Sequence, residues 1–190
     1  MADLTVDEAS EVVIIDSDGV NELDIDIDGR LGINTSDIND ARAGCLYLAN
    51  TTFISIATGA ERDFILLKNP SGSGKVVNIH EIVMTVDENI GATYRFKLYL
   101  NPTITSNGTS ITPVNARQVG TVAVSSTVYY TPTISTRGTL VYVSSWTLSS
   151  PTLRFVRLLL DPDNNYLLTV TVDNTTNING CLIFSEQIGI

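Results

Sequence analysis

The sequence predicts an all-β protein, an antiparallel β-sandwich preceded by an acidic arm or small β appendage. Short apolar and β-branched runs recur at intervals of roughly ten residues, and clusters of Gly, Pro, Asn, Asp and Ser separate them. Several runs alternate apolar with polar residues, which places the two sets on opposite faces of a sheet. Charged residues make up only 17% of the chain, and their place is taken by Thr, Ser, Asn, Val and Ile, which suit strands and turns.

The predicted strands are numerous enough for two facing sheets of seven to nine strands in all. Leu23, Ile25 and Ile27 alternate with acidic residues, and residues 94–100 alternate in the same way over part of their length. The best helical candidate is one or two turns over residues 36–45. The predicted strands are residues 11–15, 22–27, 46–49, 53–57, 64–67, 76–86, 94–100, 119–124, 128–130, 140–148, 153–160, 166–172 and 181–184.

The turn clusters have recognisable chemistry. Residues 69–74 (NPSGSG) join two apolar runs and predict a hairpin loop, and Asn107-Gly108 suits the positive φ of a tight turn. Residues 161–165 and 174–180 are predicted as turns for the same reason.

Charge divides the chain near residue 42. Residues 1–40 contain twelve acidic residues and one base, Arg30, a net charge of −11. The remaining 150 residues contain nine acidic residues and ten bases. We therefore predict an acidic attachment segment over 1–42 and a β-sandwich body over 43–190. A nearly neutral body does not suit nucleic-acid binding, and the acidic arm would be repelled by DNA and by anionic lipid.

No secretory signal or apolar run of about 20 residues is visible, so we expect a protein made in a cytosol. In that compartment Cys45 and Cys181 are expected to be free, buried thiols, with a disulfide as the alternative. The Asn-x-Thr triplets at Asn50, Asn107 and Asn174 are then turn-rich sequence and not glycosylation sites.

Candidate catalytic groups are few. Gly72-Ser73-Gly74-Lys75 resembles part of a phosphate-binding loop, but the earlier Gly and the following Ser or Thr are replaced by Asn69 and Val76. His80 is the only histidine and lies in a predicted strand without a nucleophile motif. We interpret it as a structural histidine.

Metal and sugar sites are weighed in the same way. The aspartates of 16–19 and 24–28, at i, i+2 spacing, could contribute to a calcium site, against the simpler interpretation of a solvated acidic face. Asp161 and Asp163 are interpreted as turn residues. Nothing in the sequence singles out a pair of carboxylates that could cleave a glycosidic bond. Trp146 is interpreted as a core or interface residue. We predict no enzyme activity and no catalytic, cofactor-binding or metal-binding residues.

Three segments between residues 64 and 117 resemble structural proteins of tailed bacteriophages related to capsid decoration and head-fibre components. They are FILLKNPSGSGKVVNIHEIVM (64–84), YRFKLYLNPTIT (94–105) and NGTSITPVNAR (107–117), about 50 residues in the same order. The resemblance implies a jelly-roll sandwich that assembles as a trimer on the outside of a virus particle.

The sequence therefore predicts a phage capsid decoration, or cement, protein that binds the major capsid protein on the assembled head and stabilises the shell. The alternatives are a fibre or tip domain that recognises host surface glycans, and a carbohydrate-binding or carbohydrate-cleaving module. The expected partners are the capsid protein and two further copies of the chain.

Overall fold

The computed structural model describes residues 14–15, 22–25, 31–33, 45–87, 92–116, 123–147 and 152–188, and these residues form an all-β sandwich. The predicted fold class is confirmed at that level. No helix occurs among the described residues. The strands are β1 (Ile14–Ile15), β2 (Glu22–Ile25), β3 (Leu31–Ile33), β4 (Leu46–Asn50), β5 (Ile54–Ile56), β6 (Arg62–Lys68), β7 (Lys75–Asp87), β8 (Tyr94–Leu100), β9 (Thr103–Ser106), β10 (Thr109–Ile111), β11 (Val114–Asn115), β12 (Thr127–Tyr130), β13 (Thr133–Thr136), β14 (Thr139–Trp146), β15 (Thr152–Leu160), β16 (Asn165–Val172) and β17 (Thr176–Ile188).

Two large antiparallel sheets make up the body. The front sheet has the strand order β10-β12-β6-β16-β8-β14. The back sheet has the order β11-β4-β17-β7-β15, with β5 also paired to β17. Most consecutive long strands lie in opposite sheets, so the chain repeatedly crosses between the two layers. A small antiparallel sheet, β1-β2-β3, is formed by the N-terminal segment.

The core lies between the front and back sheets, because the strands alternate buried residues with more exposed ones. In β8, Tyr94, Phe96 and Leu98 are buried while the residues between them are not. Tyr47 stacks on Phe184 within the back sheet, with ring centroids 5.5 Å apart. Alternate residues of a strand share a face, so the aromatic and aliphatic positions of both sheets meet in one cluster.

Gly180 lies inside β17 because this position has no room for a side chain. A Cβ there would come within 2.9 Å of the Phe64 ring. The prediction that residues 174–180 form a turn is therefore wrong for residues 176–180, which are strand. Glycine here is a packing requirement and not a turn signal.

An internal repeat lies in the front sheet. Residues 101–109 (NPTITSNGT) and 131–139 (TPTISTRGT) are 30 positions apart and identical at five of nine positions. Each follows a strand of the front sheet, bends at a residue with positive φ, and forms one strand of the two-stranded ribbon β9–β13. Ile104 pairs with Ile134, its own counterpart in the repeat. The two copies are therefore related by an approximate twofold axis through the ribbon.

The ribbon crosses the outer face of the front sheet. The strand order requires β9 to lead from β8, the fifth strand, to β10, the first, and β13 to lead from β12, the second, to β14, the last. Below this crossing, Leu66 and Leu167 are directly paired, fully buried and not part of the cluster between the sheets. Since Pro102 and Pro132 at the ribbon ends are also buried, we interpret the ribbon as the cover of this second, smaller core.

Several sequence predictions need correction. Residues 69–74 join β6 of the front sheet to β7 of the back sheet, so they form a crossing between layers and not a hairpin loop. The described end of the predicted strand 119–124, residues 123–124, is not strand, and most of the predicted helix 36–45 lies outside the described residues. The short polar strands β9, β10, β11 and β13 were not predicted.

Candidate interaction surface

His80 and Lys75, the two candidate chemical groups of the sequence, are both held in contacts within the body. His80 in β7 is 8% exposed, and its Nε2 lies 2.9 Å from the Ser185 hydroxyl of β17. Lys75 begins β7 and forms an ion pair with Glu186 at 2.8 Å. These contacts give both residues a structural role.

Glu186 is the most deeply buried carboxylate of the described residues that forms an ion pair, with 1% of its side chain exposed. Besides Lys75, it accepts hydrogen bonds from the Ser126 hydroxyl and from the backbone N–H groups of Ser125 and Ser126. Burial raises the pKa of this carboxyl, but these donors outweigh burial, and its pKa falls below the ordinary 4.5. The cluster ties the segment before β12 to the back sheet.

A second polar cluster anchors the ribbon to the front sheet. Arg137, at the end of β13, donates to the Asp63 carboxylate at 3.0 Å and to the backbone carbonyl of Glu61 at 3.0 Å. The equivalent residue of the other repeat, Asn107, accepts a hydrogen bond from Lys68 at 3.3 Å. Both ends of the ribbon are thus fastened to β6 or to the residue before it.

Glu61 is the centre of this second cluster. It accepts hydrogen bonds from Lys97, Tyr99 and Thr169, at 2.7 to 2.9 Å. Burial raises the pKa of the Glu61 carboxyl, whereas these donors and the nearby Arg137 lower it more strongly, so the net shift is downward. Glu61 therefore links strands β8 and β16 to Arg137, whose guanidinium lies 3.7 Å from the Glu61 carboxylate.

The structure agrees with the interpretation of Trp146, and it agrees only in part with the prediction for the two cysteines. Trp146 is half-buried against the core, as predicted, although its indole N–H has no hydrogen-bond partner. Cys45 and Cys181 form no disulfide, and both are half-buried and not buried.

The outer end of the front sheet presents an apolar surface on strand β14. Leu140, Val141 and Val143 are 48%, 43% and 50% exposed, and Tyr142 and Trp146 of the same strand pack against the core. We call the three exposed residues the β14 patch.

Strand β14 is also an unusual sheet edge. Edge strands are normally shortened or charged, because their free backbone groups can pair with other chains. The opposite edge of the front sheet, β10, has three residues, and β11 of the back sheet has two. Strand β15 includes Arg154 and Arg157. Strand β14 has eight residues without a charge or a proline, so it lacks these protections.

The internal repeat shows that the fold does not require an apolar residue at the position of Leu140. Leu140 pairs with Tyr99, and the equivalent Ser110 pairs with Tyr129. Both Leu140 and Ser110 are exposed. Since serine serves at one of two equivalent positions, the leucine at the other is not explained by packing within the chain. An exposed apolar cluster of this kind is typical of a binding surface.

An open cleft lies near the other end of β8. It has a volume of about 410 Å³ and is lined by Gly59, Thr93, Arg95, Thr171, Val172 and Asp173.

Within the described residues, no group of three or more His, Cys, Asp or Glu side chains is placed to hold a metal ion. Apart from Asp24 in β2, the aspartates considered for calcium lie outside those residues. No described helix has the length and apolarity to span a membrane.

Comparisons with protein-family models, with curated proteins and with solved structures found no match to this chain.

Proposed function

We propose that the protein is a non-enzymatic structural component of a tailed-phage particle. In this proposal it is a homotrimeric capsid decoration protein, made in the host cytoplasm, that binds the major capsid protein on the outside of the head and stabilises the shell. The β14 patch is the observation that carries a binding role, because it exposes apolar surface on an unprotected edge strand.

The strand order supports the jelly-roll part of the proposal. Eight strands divide equally between the sheets, with β6-β16-β8-β14 in the front sheet and β4-β17-β7-β15 in the back sheet, and the chain changes sheet at each step between them except from β8 to β14. A double-sheet arrangement of eight strands is the architecture of jelly rolls, which are common in viral capsid and lectin domains. The resemblance of residues 64–117 to phage virion proteins points in the same direction.

We predict that the full chain sediments together with empty heads of the phage that encodes it. Purified heads are mixed with the chain, pelleted and washed, and the bound chain is quantified against a sample without heads. Saturable binding at a fixed number of chains per capsid protein is the expected result. A chain that stays in the supernatant at micromolar concentration contradicts the proposal.

The glycan-binding alternative has one observation in its favour. The cleft at Arg95, Thr171 and Asp173 carries the charged and hydroxyl groups that fix the orientation of polar ligands. A glycan array, together with adsorption of the chain to host cells, separates this alternative from decoration. Glycan binding without binding to heads would favour a fibre or carbohydrate-binding module.

A further inference from the structure

The internal repeat extends from the ribbon into strands β8 and β12. Tyr99 and Tyr129 are 30 positions apart, like the two copies of the repeat. Tyr99 pairs with Leu167, Tyr129 pairs with Leu66, and the two leucines pair with each other. The approximate twofold axis therefore relates β8 to β12 and β16 to β6 across the outer face of the front sheet.

A cross-strand pair of lysine and threonine lies beside each tyrosine. Lys97 of β8 pairs with Thr169 of β16, and Thr127 of β12 pairs with Lys68 of β6. Each pair includes the residue two positions before the tyrosine, so lysine, threonine and tyrosine share the outer face. The two halves of the front sheet thus carry the same three side-chain types, with lysine and threonine exchanged between the strands.

The first of these two sites holds a carboxylate. Glu61 accepts hydrogen bonds from Lys97, Tyr99 and Thr169 at 2.7 to 2.9 Å, and the guanidinium of Arg137 lies 3.7 Å from the same carboxylate. Four donors, two of them cationic, therefore surround one anion. Charge-assisted contacts of this kind are the strong ones in carboxylate recognition.

The second site has equivalent donors. Its side chains are Lys68, Thr127, Tyr129 and Asn107, the last being the counterpart of Arg137, and we call them the Lys68 group. All four are half-buried, and the Lys68 ammonium donates to the Asn107 amide oxygen at 3.3 Å. No carboxylate among the described residues forms an ion pair with Lys68. Its charge is therefore uncompensated.

The acidic residues of the first site have no working counterpart in the second. Asp63 lies in the ladder beside the first site, and the residue in the corresponding place, paired with Lys68, is Asn165. Asp163 precedes Asn165 by two positions, as Glu61 precedes Asp63. However, Asp163 is an exposed turn residue with φ of 66°, and within the described part of the chain its carboxylate makes no contact with the Lys68 group.

We propose that the Lys68 group binds a carboxylate supplied by another molecule, as the first site binds Glu61. The ammonium provides the charge, and the Tyr129 phenol, the Thr127 hydroxyl and the Asn107 amide N–H₂ group provide neutral donors. An acidic side chain and a sugar acid both present a carboxylate, which is the chemistry that they share. The proposal is independent of the capsid role, because the isolated chain suffices for it.

Titration of the isotope-labelled full chain with acetate at constant ionic strength, followed by NMR, tests the proposal. Acetate is expected to shift the backbone amides of Lys68, Asn107, Thr127 and Tyr129 saturably, whereas acetamide, its neutral counterpart, is not. Lys68→Met removes the charge but keeps an apolar stem, and it should weaken acetate binding at least about tenfold. The matched control is Arg62→Met, which removes an exposed cation at the other end of β6 and should leave the affinity unchanged.

Two substitutions copy residues of the first site into the second. Asn165→Asp reproduces Asp63 and places an acid beside Lys68, so it should abolish acetate binding. Asn107→Arg reproduces Arg137 and adds a second cation, so it should strengthen acetate binding about tenfold.

The source of the carboxylate is read from two larger probes. Glucuronate represents a sugar acid and N-acetylglutamate α-amide represents an acidic side chain, and the tighter of the two indicates the source. The proposal is overturned if acetate gives no saturable shifts or if acetamide gives the same shifts. It is equally overturned if Lys68→Met and Asn165→Asp bind acetate as tightly as the wild type.

Discussion

Replacing Glu186 with glutamine is expected to lower the free energy of unfolding by roughly 3–5 kcal/mol, the usual effect of breaking a buried ion pair. The carboxylate accepts from Lys75, from the Ser126 hydroxyl and from two backbone N–H groups. A glutamine side chain has only one acceptor oxygen, so its amide N–H₂ group would face a donor and leave Lys75 without its counter-charge.

Chemical denaturation of the variant and the wild type measures this effect. The matched control is Asp163→Asn, which removes one charge at an exposed turn residue with φ of 66° and should change stability by less than about 0.5 kcal/mol. Equal stabilities of Glu186→Gln and the control would show that the cluster does not hold the segment before β12.

The same cluster predicts a dependence on pH. The pKa of Glu186 is below 4.5 in the folded chain, so its stabilising contribution is complete above that pH and is lost as the pH falls through the lower, folded value. The wild type should therefore lose more stability than Glu186→Gln on acidification below about pH 4.5. Glu61, whose pKa is also lowered, accounts for part of the loss that remains in the variant.

Gly138→Ala is expected to be strongly destabilising because it disrupts the join between the ribbon and β14. Gly138 has φ of +79°, and a Cβ there would lie 2.2 Å from the backbone oxygen of Leu100. The left-handed backbone costs about 1–2 kcal/mol with a side chain, and relieving the overlap costs about 1–3 kcal/mol more.

The equivalent glycine of the repeat, Gly108, gives a second variant, and Gly72 gives a control. Gly108→Ala should have a similar effect, because its Cβ would lie 2.4 Å from the backbone oxygen of Tyr130. Gly72 has an ordinary φ and open space around it, so Gly72→Ala should be nearly neutral. Thermal denaturation of the three variants measures these differences in stability. Similar melting temperatures for Gly138→Ala and Gly72→Ala would mean that the ribbon is not held at this point.

Much of the fold could be predicted because its strands carry their apolar residues in the pattern that burial requires. Strand β8 was predicted with its observed bounds, since Tyr94, Phe96 and Leu98 alternate with polar residues. The ribbon strands were not predicted, because β9 and β13 have a single apolar residue each, Ile104 and Ile134. The signal that could have revealed them is the repeat at a spacing of 30 residues.

The candidate surface was harder to predict than the strands. Leu140 and Val143 lie in a predicted strand, but an apolar run does not say which of its residues the fold leaves exposed. Aligning the two copies of the repeat and comparing Leu140 with Ser110 would have identified Leu140 as an apolar residue that packing within the chain does not require. The ion pair of Lys75 with Glu186 joins residues 111 positions apart, and such pairs depend on how the sheets come together.

The molar mass of the full chain in solution, measured by light scattering, tests most directly whether the β14 patch is an interaction surface. For the wild type we expect three times the 20.5 kDa mass of the chain. Leu140→Ser, which copies the residue of the equivalent position, should reduce the mass toward that of one chain, and Ser110→Leu should leave it unchanged. A wild type with the mass of a single chain, or the same mass for wild type and Leu140→Ser, would contradict this account.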